Sequence, residues 1–358
     1  MLDAYIGPIV MLAALIFVHE LGHFLVAKAV GIKVLKFSLN FPPNIIKRKW
    51  GETEYILGLI PLGGYVKLLG EDADGEEEIS PEDQARAYPN KPVYHRMAVI
   101  VAGPLFNYLM AIVLLIVGYM AGMPVLLAEV GKVLPNTPAA SAGLKPGDRI
   151  IAIDGKPAWR FDDMRSIVEK HPEEKLMLTV ERDGQEMQLP ITPALSEQKG
   201  MFGEEIGRIG VAASGKSATR GIAESVSEGV RTALRLTEAI GTTLVMLVKR
   251  QLSVDSLGGP LIIVQASGES LKAGPFNFLL FLSYISINLA IINLLPIPIL
   301  DGGHLLFLII EAITGKPVTG KVREMAVQAG LLLIVFLMIL VFYNDIHRIV
   351  TKGWNLTP

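Results

Sequence analysis

The sequence predicts an α-helical polytopic membrane protein: four transmembrane helices, a membrane-reentrant β-hairpin and a mixed α/β domain outside the bilayer. Three observations carry that expectation. Of the 358 residues, 51% are hydrophobic and 19% charged, with a mean hydropathy of +0.45, a balance that favours lipid over water. Four apolar segments reach or approach the roughly 20 residues that cross about 30 Å of hydrocarbon as helix. One of them contains His19-Glu20-Leu21-Gly22-His23, ionisable groups at a depth where they are expensive and therefore functional by default.

The first span, Ala4–Val30, carries no charge except Glu20 and Lys28. A cleaved signal peptide does not account for it, because no Lys or Arg precedes the apolar run and the run is too long for an h-region. Met97–Gly122 and Ala273–Leu300 contain neither charge nor histidine, and Ala326–Asn344 is shorter but equally clean. Basic residues then set the orientation. None precedes Lys28, whereas Lys33, Lys36, Lys47, Arg48, Lys49, Lys67, Arg86, Lys91 and Arg96 follow span one, and Lys316, Lys321 and Arg323 follow span three. Both loops are expected in the cytoplasm, leaving the two termini and residues 123–272 outside. Arg348 and Lys352 run against that count.

Between the first two spans, Thr53–Leu69 is apolar and β-prone, broken by Pro61 and by Gly63-Gly64 in the manner of a hairpin. It is too short to span and too apolar for water, so it is expected to dip into the membrane where protein shields its backbone. The acidic run Glu71–Asp83 reads as a solvated loop. In the outer region, Val130–Leu134, Arg149–Ile153, Leu176–Arg182 and Glu186–Ile191 read as strands, the last two joined by the hairpin signal Asp183-Gly184. Asp162–Lys170 reads as a helix with an Asp N-cap. Thr219–Lys249 is helical in pattern, and its apolar part, Ala239–Val248, suggests a helix lying at the membrane surface.

The formal net charge of −2 gives no reason to expect nucleic acid. Without cysteine, a metal must be held by His and carboxylate. Residues four apart share a helix face, so His19 and His23 can grip one ion, with Glu20 beside it to polarise a water. The same spacing also arises with solvated or structural histidines; the apolar setting favours the metal. Hydrolytic zinc sites generally add a third protein ligand. Span three ends in Asn293-Leu294-Leu295-Pro296-Ile297-Pro298-Ile299-Leu300-Asp301-Gly302-Gly303-His304. Its prolines break the helix and leave Asp301 either to complete the ligand set or to cap the next helix.

Five motifs, HELGH at 19–23, PLGGYVK at 61–67, AGPLFN at 102–107, GLKPGDRIIAIDG at 143–155 and NLLPIPILDGGH at 293–304, occur in order along nearly the whole chain. In them the chain resembles the site-2 proteases, intramembrane zinc metalloproteases, and among these the bacterial regulator of sigma-E (RseP) type. The resemblance implies Zn²⁺ held by His19, His23 and Asp301, with Glu20 as general base and acid. It implies a reentrant hairpin that presents an edge to extended substrate, with Gly63, Gly64 and Tyr65 as candidate contacts. Asn288 and Asn293 match asparagines near the substrate or the broken helix. It also implies the domain order: residues 1–123 with two spans and the hairpin, a PDZ domain at 124–196, an amphipathic helical region at 197–272, and two more spans at 273–358. Many members of this type carry two PDZ domains; this chain shows one.

The implied activity is cleavage of single-span membrane proteins, anti-sigma factors or remnant signal peptides, after prior trimming. Its partners are those transmembrane substrates, the lipid bilayer, and a peptide or trimmed terminus at the PDZ domain. The implied location is the bacterial inner membrane, with the PDZ domain on the periplasmic side and the active site toward the cytoplasm. A zinc-binding scaffold that recruits partners without cleaving them is the alternative, which the intact Glu20 disfavours. A metal transporter would need a polar path that spans two and four do not offer.

Overall fold

The structure is a computed structural model that describes residues 3–71, 79–196, 205–218, 221–251 and 258–352. Residues 72–78 of the acidic run lie outside the described residues, as do 252–257 of the post-domain region. Contacts divide the chain into two units, one formed by residues 1–118, 227–244 and 253–358, the other by 119–226 and 245–252.

In the first unit, α1 (Asp3–Ala29), α2 (Val93–Met120), α7 (Pro275–Asn293) and α9 (Gly320–Lys352) are long and apolar enough to cross a membrane. Each overlaps one of the four expected spans, and α9 runs past the expected Ala326–Asn344 at both ends. The third helix stops at Asn293 rather than Leu300, and α8 (Asp301–Thr314) begins only after Pro296 and Pro298, which lack the donors a helix needs. Gly22 lies directly against the Ala102 carbonyl, so α1 and α2 meet where a Cβ has no room, the close approach that small residues permit between membrane helices.

The β segment between the first two spans is larger than the expected hairpin. β1 (Val34–Trp50) and β2 (Thr53–Leu68) pair, but each folds back on itself. Lys36 lies opposite Lys67 and also opposite Glu54, Leu39 opposite both Gly64 and Leu57, and Lys49 opposite Glu54. Four stretches therefore lie side by side in the order 44–50, 53–58, 34–39, 64–68, with 34–39 inserted between the halves of β2. Sequence alone shows the halves as neighbours; long-range register separates them. The Gly51-Glu52 turn is tied down at its far end, where Glu52 accepts from Arg86 at 2.6 Å and from Lys28 at 3.2 Å. The Arg86 hydrogen bond holds the Glu52 carboxyl below its usual range.

The helix expected at the membrane surface also packs one of its faces against two of the spans. In α5 (Ile222–Val248), Ala233 and Ile240 are buried with Ala111 and Leu115 of α2 and Ile287 of α7. Tyr108 and Thr237 share a hydroxyl hydrogen bond of 3.0 Å, and Gly229 lies against Ile116. One apolar face thus meets protein, while Val226, Leu234 and Val245 of the same helix stay exposed. Between α5 and α7, α6 (Pro260–Lys272) is capped by a span: the Asp345 carboxylate of α9 accepts from Gly259 N–H at 2.9 Å and Leu261 N–H at 3.0 Å, satisfying donors that a helix start leaves free.

The second unit contains β3 (Val125–Leu126), β4 (Val130–Val133), α3 (Pro138–Ser141), β5 (Arg149–Ile153), β6 (Lys156–Pro157), α4 (Phe161–Lys170), β7 (Leu176–Arg182), β8 (Gln185–Ile191), β9 (Ala194–Leu195), β10 (Gly207–Arg208), β11 (Val211–Ala213) and β12 (Ser217–Ala218). A four-stranded sheet of order β6-β5-β7-β8 is joined by the pairs β4–β11, β9–β10 and β3–β12. Ile150, Ile153, Leu178 and Val180 form its core with Met164 and Val168 of α4. The Asp183-Gly184 turn takes left-handed φ at both residues, 50° and 77°, as a two-residue hairpin requires. One expectation is corrected: the N-cap of α4 is Arg160, and Asp162 and Asp163 fall in its first turn, where they meet the positive helix end without capping it.

Asp148, only 1% exposed, locks this unit. It accepts from Arg182 Nε and Nη2, each at 2.7 Å, and from the Lys145 N–H at 2.7 Å. Burial pushes its carboxyl upward, but the Arg182 hydrogen bond, the Lys145 amide and the charges of both outweigh this and hold it below the usual range. A depressed carboxyl stabilises the fold above its unfolded pKa, about 3.9, and loses that contribution as pH falls through its folded value. Hydrogen exchange on the full protein at neutral pH should show Asp148→Ala opening the β5 and β7 amides. The gap from wild type should narrow only as the buffer drops below about pH 4. Unchanged protection at pH 7 counts against the lock.

Candidate metal centre

His19 and His23 stand on α1 one turn apart, and Asp301 is the first residue of α8. Asp301 is not the cap of that helix: Leu300 holds the N-cap position and no side chain bonds there, which frees the carboxylate for the site. His23 Nε2 lies 3.3 Å from His19 Nε2, and Asp301 Oδ2 lies 3.2 Å from His19 Nε2 and 3.6 Å from His23 Nε2. Donors about 2.0–2.1 Å from a tetrahedral ion are separated by roughly 3.3 Å. The observed spacings therefore fit zinc. Asp301 Oδ2 is buried yet accepts no hydrogen bond from the described residues. His19, His23 and Asp301 form a group able to hold a metal ion.

The surroundings fix the rings. His23 Nδ1 donates to the Val99 carbonyl at 2.7 Å, which leaves its Nε2 lone pair for the metal. Asn107 of α2 sits 3.4 Å from His19 Nδ1. Gly103, one helical turn before Asn107, lies against both imidazoles, and a Cβ there would collide with His23 Nε2. On α8, Gly302 packs on the Leu294 and Leu295 carbonyls and Gly303 on Ile297 and Pro298. The two glycines let the helix start directly beneath the proline break and so present Asp301 to α1.

The three residues open on a cavity of about 930 Å³. Glu20 lines it beside them, and so do Gly64, Tyr65 and the rest of the outermost sheet stretch, 64–68. At Gly64 a Cβ would come 2.9 Å from Glu20 Cγ, so this strand's backbone runs directly past the carboxylate. Farther along, Arg96 at the start of α2 pairs with Glu311 of α8, at 3.1 Å and 2.5 Å. Both are largely buried, at 11% and 15% exposure.

Of the residues singled out in the sequence, His19, Glu20, His23, Asp301, Gly64 and Tyr65 come together here. Gly63 lies against the Phe41 ring, and Asn288 and Asn293 stand on α7; none of the three is in the cavity wall. Gly103, Asn107, the Val99 carbonyl and the Arg96–Glu311 pair received no role from the sequence. An asparagine in an otherwise uncharged span was the available signal for Asn107; the backbone carbonyl had none.

Comparison with known proteins bears on the same site. The chain belongs to peptidase family M50, whose profile matches residues 8–337. It is 32% identical over 424 residues to the regulator of sigma-W protease RasP of Bacillus subtilis, covering 97% of this chain and 99% of that one. It is likewise 32% identical to the zinc metalloprotease RasP of Geobacillus kaustophilus, covering 97% and 98%. A protein of Agrobacterium fabrum whose name assigns it provisionally to the zinc metalloproteases is 37% identical, over 98% of this chain and 97% of its own. The chain is thus a zinc metalloendopeptidase of the site-2 protease type, a multi-pass membrane protein engaged in intramembrane proteolysis.

The crowding at Gly103 gives a direct test. Gly103→Ala should weaken zinc binding by about 10-fold or more, measured by chelator competition on purified protein, with the apo helices still folded. Wild-type affinity in this variant would show that the rings can yield.

Proposed function

We propose that this protein cleaves single-span membrane proteins inside their membrane segment, after another protease has shortened them. Anti-sigma factors and remnant signal peptides are the substrate classes in view. The observation that carries the reading is one cavity holding His19, His23 and Asp301, with Glu20 and the outermost sheet stretch 64–68 in its wall.

His19, His23 and Asp301 are the ligands that would hold zinc, which when bound acidifies a water and polarises the scissile carbonyl. Glu20, one residue from the first ligand, takes the proton of the attacking water and returns it to the leaving amide nitrogen. The backbone at 64–68 addresses a separate difficulty. A membrane segment arrives as helix with every backbone group already paired, and hydrolysis needs it extended. Pairing with the edge of the sheet replaces the lost helical hydrogen bonds and holds the chain against Glu20. Gly64, with no side chain, lets it come close; Tyr65 offers a side chain to the substrate. Asn288 and Asn293 are proposed to support substrate from the helix break, acting through α7.

The second unit is read as a PDZ domain. A groove of about 270 Å³ between α4 and the 207–211 stretch, lined by Phe161, Met164, Val168 and Ile209, has the form that takes an added peptide strand. A trimmed substrate terminus suits it. The excess of basic residues in the loops after spans one and three supports both termini and this unit on the periplasmic side of the inner membrane. His19 and His23 then lie in the later half of α1, toward the cytoplasm, where a released product enters the cell.

Two experiments test the reading on detergent-purified enzyme with a model transmembrane substrate. Glu20→Gln should keep its zinc and lose at least about 10²-fold in rate, whereas Asp301→Ala should lose the metal itself; persistent cleavage by the first variant defeats the mechanism. For the strand edge, substrates with Gly or Pro placed in the cleaved segment should be cut faster than all-Leu versions, because less helix must be undone. Equal rates would remove unwinding as a limiting step.

A further inference from the structure

Asn107 belongs to a motif, AGPLFN, to which the chemistry above gives no task. It is 0% exposed on a span that carries no charge from Met97 onward. Its amide nitrogen sits 3.4 Å from His19 Nδ1, and its Oδ1 is buried without a partner among the described residues. An orphaned amide oxygen buried in a helix bundle is costly and calls for a reason.

The metal supplies one. For His19 to offer Nε2 to an ion, the ring proton must reside on Nδ1, and a buried Nδ1–H needs an acceptor. For His23 the acceptor is the Val99 carbonyl at 2.7 Å. For His19 the polar group at Nδ1 is the Asn107 amide, and a half-turn about Cβ–Cγ exchanges its nitrogen for the unused oxygen. We propose that Asn107 is a positioning residue that accepts the His19 Nδ1–H and so holds this imidazole in its metal-binding tautomer. The inference rests on the reading of His19 as a ligand. Asn107 is itself held from two sides: by its place on α2, and by Ser286 of α7, whose hydroxyl donates to the Asn107 backbone carbonyl at 2.7 Å. The third span thereby takes part in orienting a ligand on the first. Asparagine suits the position because it is neutral in lipid, whereas a carboxylate beside the site would add charge.

The test is zinc affinity of the full-length protein in detergent, by competition with a chromophoric chelator, with melting of the metal-free forms alongside. Asn107→Leu keeps the branched shape and removes the acceptor; it should bind zinc about 10- to 100-fold more weakly. Asn107→Asp restores an acceptor and should stay within about threefold of wild type. Wild-type affinity in the folded Leu variant overturns the proposal, and so does equal weakening in folded Leu and Asp variants, which would mean that only packing matters. If the Leu protein does not fold, the Asp protein decides: weak zinc binding by a folded Asp form refutes it. His19→Ala serves as the reference. If it binds zinc like wild type, the ligand reading itself has failed, a result separate from any behaviour of Asn107.

Discussion

For the proposed zinc site, three donor atoms from helices nearly 280 residues apart in sequence must be held about 3.3 Å from one another inside a bundle of apolar helices. That requirement organises the first unit. In lipid an unsatisfied polar atom has no substitute partner, so each ligand has to be pointed by protein alone. Gly22 brings α1 onto α2, Gly103 leaves space for the two imidazoles, and the Val99 carbonyl orients one of them. On the other side, Pro296 and Pro298 stop one helix and Gly302 and Gly303 let the next begin at once. Asp301 reaches α1 because the chain is broken there.

The same setting shapes what the sheet does. An exposed β-edge is ordinarily a liability, yet here it is the surface proposed to hold an extended substrate. Insertion of 34–39 between the halves of β2 leaves 64–68 outermost on the side of Glu20. At the opposite end, Glu52, Arg86 and Lys28 form a charged clasp. The sheet is thus polar where it is anchored and lines the cavity with its outermost stretch, whose backbone runs past Glu20.

Much of this was legible in residues. The four spans follow from unbroken apolar length, the outer strands from alternation, and the Asp183-Gly184 hairpin from its turn chemistry. HELGH announced itself because charge in an apolar helix demands a reason. Other features were hidden for identifiable causes. Propensity marks strands but not which strand a stretch will pair with, so the four-stretch sheet read as a single hairpin. Periodicity shows that α5 has an apolar face but not what covers it, and lipid surface and helix seam look alike from sequence. Arg160 displaced the expected Asp cap of α4 because an N-cap is fixed by backbone geometry, which one polar residue early in a helix does not determine.

The sequence by itself determined the kinds of parts: apolar segments of spanning length, two histidines and a glutamate on one of them, and a proline break followed by Asp-Gly-Gly. Those are local properties, set by hydropathy and by the backbone freedom of single residues. Only the tertiary structure decided that Asp301 meets His19 and His23, that strand 64–68 runs past Glu20, and that Asn107 reaches the back of an imidazole. Each of these joins residues distant in the chain, and such contacts depend on how helices cross and strands register, which no short stretch of sequence specifies.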